Sequence, residues 1–260
     1  MITSFSNPRI KYARRLQNDS RFRKREKTFV VEGTRWLSEL VHWQLKPKYV
    51  LYTESWLQTA NHAEILHQID APIQLVDERL MAAISDTMTP AGVLAVVPVQ
   101  PRQLPESVSL LLILDGVSNP GNVGTMLRTA AAAGVDGVLL APGCVDVYNP
   151  KVVRGGMGAH LRLPIHHAAW HTIRALTRGL RVYVATVTGD LVYTAVNWRE
   201  PAALIIGSEA VGASKEALSL ADREIIIPMH AQTESLNAAM ASGIILFEAF
   251  RQRNQLPAPE

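Results

Sequence analysis

Three polar clusters hold the residues of this chain best suited to chemistry, and each begins where an apolar run ends. Residues 115–128 contain Asn122, Gly124 and Arg128. Residues 206–212 contain Gly207 and Glu209, and residues 227–237 contain Ser235 and Asn237. None of the three holds a Trp, Tyr or Phe. Amides, a hydroxyl, a carboxylate and a guanidinium orient and polarise a partner through hydrogen bonds and charge. That set suits a sugar–phosphate unit approached along its backbone. A nucleobase would instead require aromatic faces for stacking.

The glycines at 116, 121 and 124 do not fit Gly-x-Gly-x-x-Gly, and no Gly-Lys-Ser/Thr follows, which argues against a dinucleotide or P-loop site. Gly124 and Arg128 stand one helical turn apart. A bare glycine permits close approach, and a guanidinium above it can fork onto a phosphate. The same residues also read as a helix-starting turn with an arginine salt bridge. Glu209 sits in a glycine-flanked turn. Ser235 is expected to N-cap the last helix, with Asn237 in its first turn; the segment reads either as a capping motif alone or as one that aims the Asn237 amide at a substrate.

The elements that must position these clusters follow from apolar patterning. In the first region residues 28–31, 49–52, 73–76 and 92–97 read as strands, and Trp36, Leu37, Leu40 and Val41 repeat at helical spacing. In the second, residues 110–114, 138–140, 182–185, 204–206 and 225–227 are short, continuous apolar runs. Continuous runs imply strands covered on both faces, hence a mostly parallel α/β sheet with ligands at the carboxyl ends of its strands. The last helix sets Leu236, Ala239, Met240, Gly243, Ile244, Phe247 and Phe250 on one stripe. Residues 99–106, with two prolines, read as a linker between a domain over 1–100 and a second over 107–255.

Nine basic residues crowd into positions 9–27 against two acidic ones, so a stretch of net +7 leaves −4 for the rest of a chain whose total is +3. A basic arm on a mildly acidic body suits a polyanionic partner, and equally a solvated helix face. The single cysteine, Cys144, excludes an internal disulfide and a multi-thiolate zinc site, and points to a reducing, cytoplasmic setting. No apolar run reaches the roughly 18 residues that span a bilayer, so no membrane role is expected. His166, His167 and His171 lack a companion carboxylate or thiolate, and no metal is expected.

Taken in order, the three clusters resemble the motifs of the SpoU (TrmH) family of RNA ribose 2′-O-methyltransferases, within the SPOUT superfamily. The first motif is matched by Asn119, Pro120, Asn122, Gly124, Arg128 and Thr129, and the second by Gly207, Glu209 and Gly212. The third is matched by Ile227, Pro228 and Met229 followed by Ser235, Leu236 and Asn237. Residues 29–33, 89–92, 149–154 and 157–160 also resemble family signatures. Ala210 departs from the family's usual glycine.

The resemblance implies a small N-terminal α/β RNA-binding domain and a C-terminal SPOUT-type α/β domain threaded into a trefoil knot. It implies S-adenosylmethionine as cofactor, held by Gly207, Ile227 and Leu236, with Thr186 as a further contact. It also implies a homodimer whose active site is completed at the interface. Arg128, Asn122, Glu209, Ser235 and Asn237 become the expected catalytic set. A free guanidinium, with a pKa above about 12, is a poor base. A phosphate-anchored Arg128 that positions the sugar is the better reading. Ribosomal RNA is the expected substrate. Transfer-RNA ribose, a base or protein acceptor, and an RNA-binding module without turnover are the alternatives.

Overall fold

The computed structural model describes residues 1–230 and 235–254. The chain divides into two compact units. The first is Met1–Gln100 with Asp146–Leu161, and the second is Pro101–Val145 with Arg162–Glu260.

The first unit opens with two helices, α1 (Pro8–Asn18) and α2 (Ser20–Glu26). Asn7 and Asp19 cap them through side-chain oxygens that accept from Arg9 N and Phe22 N. There follow β1 (Thr28–Glu32), α3 (Thr34–His42), β2 (Tyr49–Tyr52), α4 (Glu54–Leu57), α5 (His62–His67), β3 (Ile73–Leu75), α6 (Glu78–Ile84) and β4 (Val93–Pro98). The sheet order is β1-β4-β2-β3, antiparallel except for β2 and β3.

Successive side chains of a strand point to opposite faces, and here they divide two cores. Along β4, Leu94 and Val96 join Ile10, Leu16 and Met81, whereas Val93, Ala95 and Val97 join Trp36, Leu37 and Leu40. The second core is completed by Val153 and Leu161, which come from residues assigned by sequence to the second domain. That excursion contains α8 (Pro150–Gly156) and His160. Its ring, among Phe29, Trp36 and Tyr148, shares a hydrogen through Nε2 with Val147 O at 2.8 Å. Burial pushes the His160 pKa down to about 4. The signatures at 29–33 and 89–92 also meet. The Glu32 carboxylate accepts from Ser85 Oγ, Thr87 Oγ1 and Ala91 N, tying the end of β1 to the loop before β4.

Of the nine arm cations, Arg23 is not a surface charge. It is 5% exposed, pairs with Asp146 at 2.7 Å, and donates to Leu16 O and Gln17 O at the end of α1. Lys11, Arg14, Arg15, Arg21, Lys24, Arg25 and Lys27 remain exposed.

The second unit holds β5 (Leu110–Leu114), α7 (Pro120–Ala132), β6 (Gly137–Leu140), β7 (Ile165–His167), α9 (Trp170–Leu176), β8 (Arg181–Ala185), β9 (Leu191–Val192), β10 (Ala202–Ile206), α10 (Lys215–Leu220), β11 (Arg223–Ile226) and α11 (Ala238–Asn254). Its seven strands run in the order β7-β6-β5-β10-β8-β11-β9, all parallel. Every residue of β5, β6 and β10 is buried, as continuous apolar runs require. The sequence reading contained neither β7 nor β9. Each is only two or three residues long and lies towards an edge of the sheet, too short to stand out as an apolar run.

On α11 the predicted stripe is not the core face. Ala239, Ser242, Ile245, Leu246 and Ala249 are buried, whereas Leu236, Met240 and Phe247 are 38%, 60% and 49% exposed. The helix is apolar on two sides, so a single stripe drawn through its larger side chains mixes both.

Candidate functional site

Asp115, Thr186, Gly207 and Ile227 each begin the segment leaving the carboxyl end of a strand: β5, β8, β10 and β11. Between the last three lies a cavity of about 440 Å³, lined by Thr186, Gly207, Glu209, Ile227, Ser235 and Leu236 among others. All four residues expected to hold a cofactor therefore share one wall system, and two of the five expected catalytic residues join them.

The loop after β10 is shaped by backbone crowding. Ser208 and Gly212 exchange two hydrogen bonds, of 3.0 and 2.9 Å, closing a tight turn around Glu209, Ala210 and Val211. A Cβ on Gly207 would stand 2.4 Å from the Gly212 carbonyl carbon, so only glycine fits beneath the returning strand of the turn. Asp115, at the end of β5, is 4% exposed and accepts from Ser214 N at 2.6 Å, which pins the far end of the same loop. Ala210, where the family has glycine, is an exposed turn residue.

From that loop a directed hydrogen-bond chain runs to α11. Asn237, not Ser235, is the N-cap: its Oδ1 accepts from Ala239 N at 3.0 Å and Met240 N at 3.3 Å. An oxygen facing two backbone N–H groups leaves Asn237 Nδ2 to donate outward, and it donates to Asn122 Oδ1 at 3.1 Å. Asn122 Nδ2 then donates to Glu209 Oε1, the only polarity a carboxylate permits. Asn122 itself is placed by Asn119, whose Oδ1 caps α7 by accepting from Gly121 N at 2.9 Å. One residue from each motif thus enters a single chain. The expected Ser235 cap fails because the apolar pattern after it does not mark the helix start, and α11 begins only at Ala238. Residues 231–234, inside the third motif, lie outside the described residues.

Arg128 stands apart from this group. It lies on the exposed side of α7 with Gly121 and Thr125, does not line the cavity, and its side chain has no ion pair or hydrogen bond among the described residues. Gly124, expected to present a bare surface beneath it, is buried. Glu224 was missed by sequence reasoning. It lines the cavity from β11 and accepts from Thr186 Oγ1 at 3.0 Å. Its only signal was a carboxylate inside an otherwise apolar run.

The cavity fits S-adenosylmethionine in size and chemistry. Its volume is in the range of small-molecule sites. Apolar Ala185, Ile206, Leu218 and Leu236 line it together with strand-end backbone groups and two carboxylates, Glu209 and Glu224, which offer acceptors to hydroxyls and an ammonium. Nearby, Cys144 donates from Sγ to Leu114 O at 3.1 Å, and burial pushes its thiol up to about 11, so it is not a nucleophile. Among the described residues no group of three His, Cys, Asp or Glu could hold a metal ion. No helix among them is long and apolar enough to cross a membrane.

Residues 109–247 match the SpoU rRNA Methylase family, and residues 7–95 match the MRM3-like substrate binding domain. The chain is 30% identical to the 23S rRNA (guanosine(2553)-2′-O)-methyltransferase RlmP of Bacillus subtilis, over 95% of this chain and 97% of that one. It is 32% identical to the human mitochondrial rRNA methyltransferase 3, over 89% of this chain and 69% of that one. The SpoU methyltransferase AviRb of Streptomyces viridochromogenes, solved in complex with AdoMet, superposes with a TM-score of 0.86 at 28% identity, covering 95% and 98% of the two chains.

Proposed function

The chain belongs to the SpoU rRNA methylase family, and we propose that it moves a methyl group from S-adenosylmethionine to a ribose 2′-hydroxyl in ribosomal RNA. The observation that carries the reading is the cavity at the carboxyl ends of β8, β10 and β11, with Asn122, Glu209 and Asn237 wired beside it. Thr186, Gly207, Ile227 and Leu236 hold the cofactor. When bound, the sulfonium supplies an electrophilic methyl group.

A ribose hydroxyl is a weak nucleophile and must lose its proton as it attacks. The directed chain from α11 to Glu209 keeps the carboxylate oriented at the cavity rim, where it accepts from or positions the sugar. Ser235, exposed and lining the same cavity, offers a further hydroxyl contact. Arg128, a permanent cation, anchors an RNA phosphate and stabilises the developing oxyanion. Such groups act by position and field, and removing one typically lowers turnover about 100- to 1000-fold.

We also propose a homodimer. Met240 and Phe247 leave an apolar face of α11 uncovered, and a second copy on that face completes the site with an Arg128 that its own cavity does not use. The domain over 1–100 binds the RNA substrate, and the domain over 107–255 carries the reaction. A cytoplasmic setting suits a chain whose one cysteine is free.

The decisive experiment compares 2′-O-methyl maps of ribosomal RNA with and without the protein. A site that disappears without it and returns on addition of protein and cofactor supports the assignment. A target nucleotide with a 2′-deoxy sugar should accept no methyl group. Transfer to that deoxy substrate would move the acceptor to a base.

A further inference from the structure

The second unit has ten arginines and one lysine against twelve carboxylates, so its charges almost cancel. Most of the arginines are occupied. Arg181 and Arg223 pair with Asp222 and Asp190, Arg251 with Glu248, and Arg199 and Arg253 donate to backbone oxygens. Among the described residues three have neither an ion pair nor a side-chain hydrogen bond: Arg128, Arg174 and Arg178. The latter two line one open groove between α9 and α10, and the unit's only lysine, Lys215, lines its other side.

Trp170 and Arg174 stand one turn apart on α9, and Arg178 follows in the turn after it, all three lining the groove. Glu216 is the groove's single carboxylate. Arg174, Arg178 and Lys215, exposed and without an ion pair among the described residues, are a local concentration of charge in a unit of nearly zero net charge. Half-buried Trp170 adds an indole face, and exposed His171 adds ring nitrogens. Exposed cations sharing a groove with an aromatic ring match a polyanion that bears a stackable base. The groove also adjoins the cofactor cavity. Leu218 of α10 lines the cavity, while Lys215, Glu216 and Leu220 of the same helix line the groove, so α10 is their common wall.

We infer that the α9–α10 groove is a second RNA-backbone site, carried by the methylase unit itself, which holds a strand of the substrate alongside the cavity. The inference rests on RNA being the substrate. The arm of α1 and α2 is then not the sole phosphate contact.

The test uses the full chain and an unmodified transcript of large-subunit ribosomal RNA. Equilibrium affinity is measured across salt concentrations for the wild type, for Arg174→Gln/Arg178→Gln/Lys215→Gln, and for Trp170→Ala. Cofactor affinity is measured in parallel as a check on the fold of the unit. Three lost phosphate contacts should reduce the slope of log K against log salt by about 2, and weaken binding on the order of 100-fold at 0.1 M salt. Trp170→Ala should weaken binding without changing the slope. Cofactor affinity should stay unchanged in both. A triple variant with wild-type slope and affinity overturns the site, as does a wild-type chain with no measurable affinity for the transcript. Loss of slope in a chain that transfers no methyl group to this RNA supports the groove while removing the proposed reaction, so the two failures are separable.

Discussion

Asn122→Asp replaces one atom type without changing shape, and it tests whether the hydrogen-bond chain has the polarity described. Asn237 is fixed by the two backbone N–H groups at the start of α11, so it presents a donor. The substituted carboxylate can still accept from it. Its other oxygen, however, faces the Glu209 carboxylate at hydrogen-bond range, where Asn122 had a donor. The lost bond to a charged acceptor is worth about 1.5–3 kcal/mol. Two carboxylates about 3 Å apart repel by roughly 1.4 kcal/mol in water and more in a lower dielectric. Glu209 is exposed, so the lower figure applies. The sum is near 3 kcal/mol, or roughly 100-fold in kcat/KM.

The pH dependence is diagnostic. Crowding raises the pKa of the pair, and one proton taken up on lowering the pH turns a carboxylate back into a donor. Activity of the variant relative to wild type should therefore rise as pH falls towards the carboxylate range. Adding Glu209→Gln restores a donor with the roles exchanged, and the double variant should be coupled by at least about 1.5 kcal/mol relative to the two singles. Methyl transfer to ribosomal RNA, with cofactor affinity measured beside it, is the assay. Additive losses in the double variant and a pH-independent deficit in the single would refute the directed chain.

Arg128→Ala should lower turnover about 100- to 1000-fold and leave cofactor affinity near normal, with Arg128→Lys recovering little, because a point charge cannot fork onto phosphate. Gly207→Ala should abolish measurable cofactor binding in calorimetry, since its Cβ would stand 2.4 Å from backbone of the turn that floors the cavity. Arg23→Ala should lower the stability of the first unit by about 3–5 kcal/mol in denaturant melts, as it leaves Asp146 buried without its partner. Lys24→Gln/Arg25→Gln should leave the melt unchanged and flatten the salt dependence of RNA binding by about 1.4. Because the His160 pKa falls to about 4 in the fold, the unfolded chain takes up more protons below the ordinary histidine value of about 6.5. Stability should therefore be full above that value and decline as pH falls towards 4, and His160→Phe should remove this part of the decline.

Most strands of both units were legible because burial on two faces writes itself as a continuous apolar run. Residues 110–114 are β5 without a shift of boundary, and residues 49–52 are β2. The excursion at 146–161 was not legible. Its two contributions to the first core, Val153 and Leu161, carry no mark of which domain they serve, and the pattern around them is too short to show a face. Arg23 reads as one more cation in a basic arm until Asp146, more than a hundred positions away, is found against it. Charge density along a chain says nothing about which charges are solvated.

The site shows the same division between type and placement. The family resemblance supplied the members: Asn122, Glu209 and Asn237 do meet, and Thr186, Gly207, Ile227 and Leu236 do line one cavity. What the resemblance could not supply is direction. An asparagine both donates and accepts, so three residues of the right kind leave several wirings open. Only the start of α11 at Ala238, which turns Asn237 Oδ1 onto backbone N–H groups, selects one of them. The cap that organises one helix end therefore also sets the polarity of the group 115 positions earlier in the chain. A helix begun two residues earlier, as a Ser235 cap would have required, would take Asn237 out of the cap that aims its amide at Asn122 without changing a single residue.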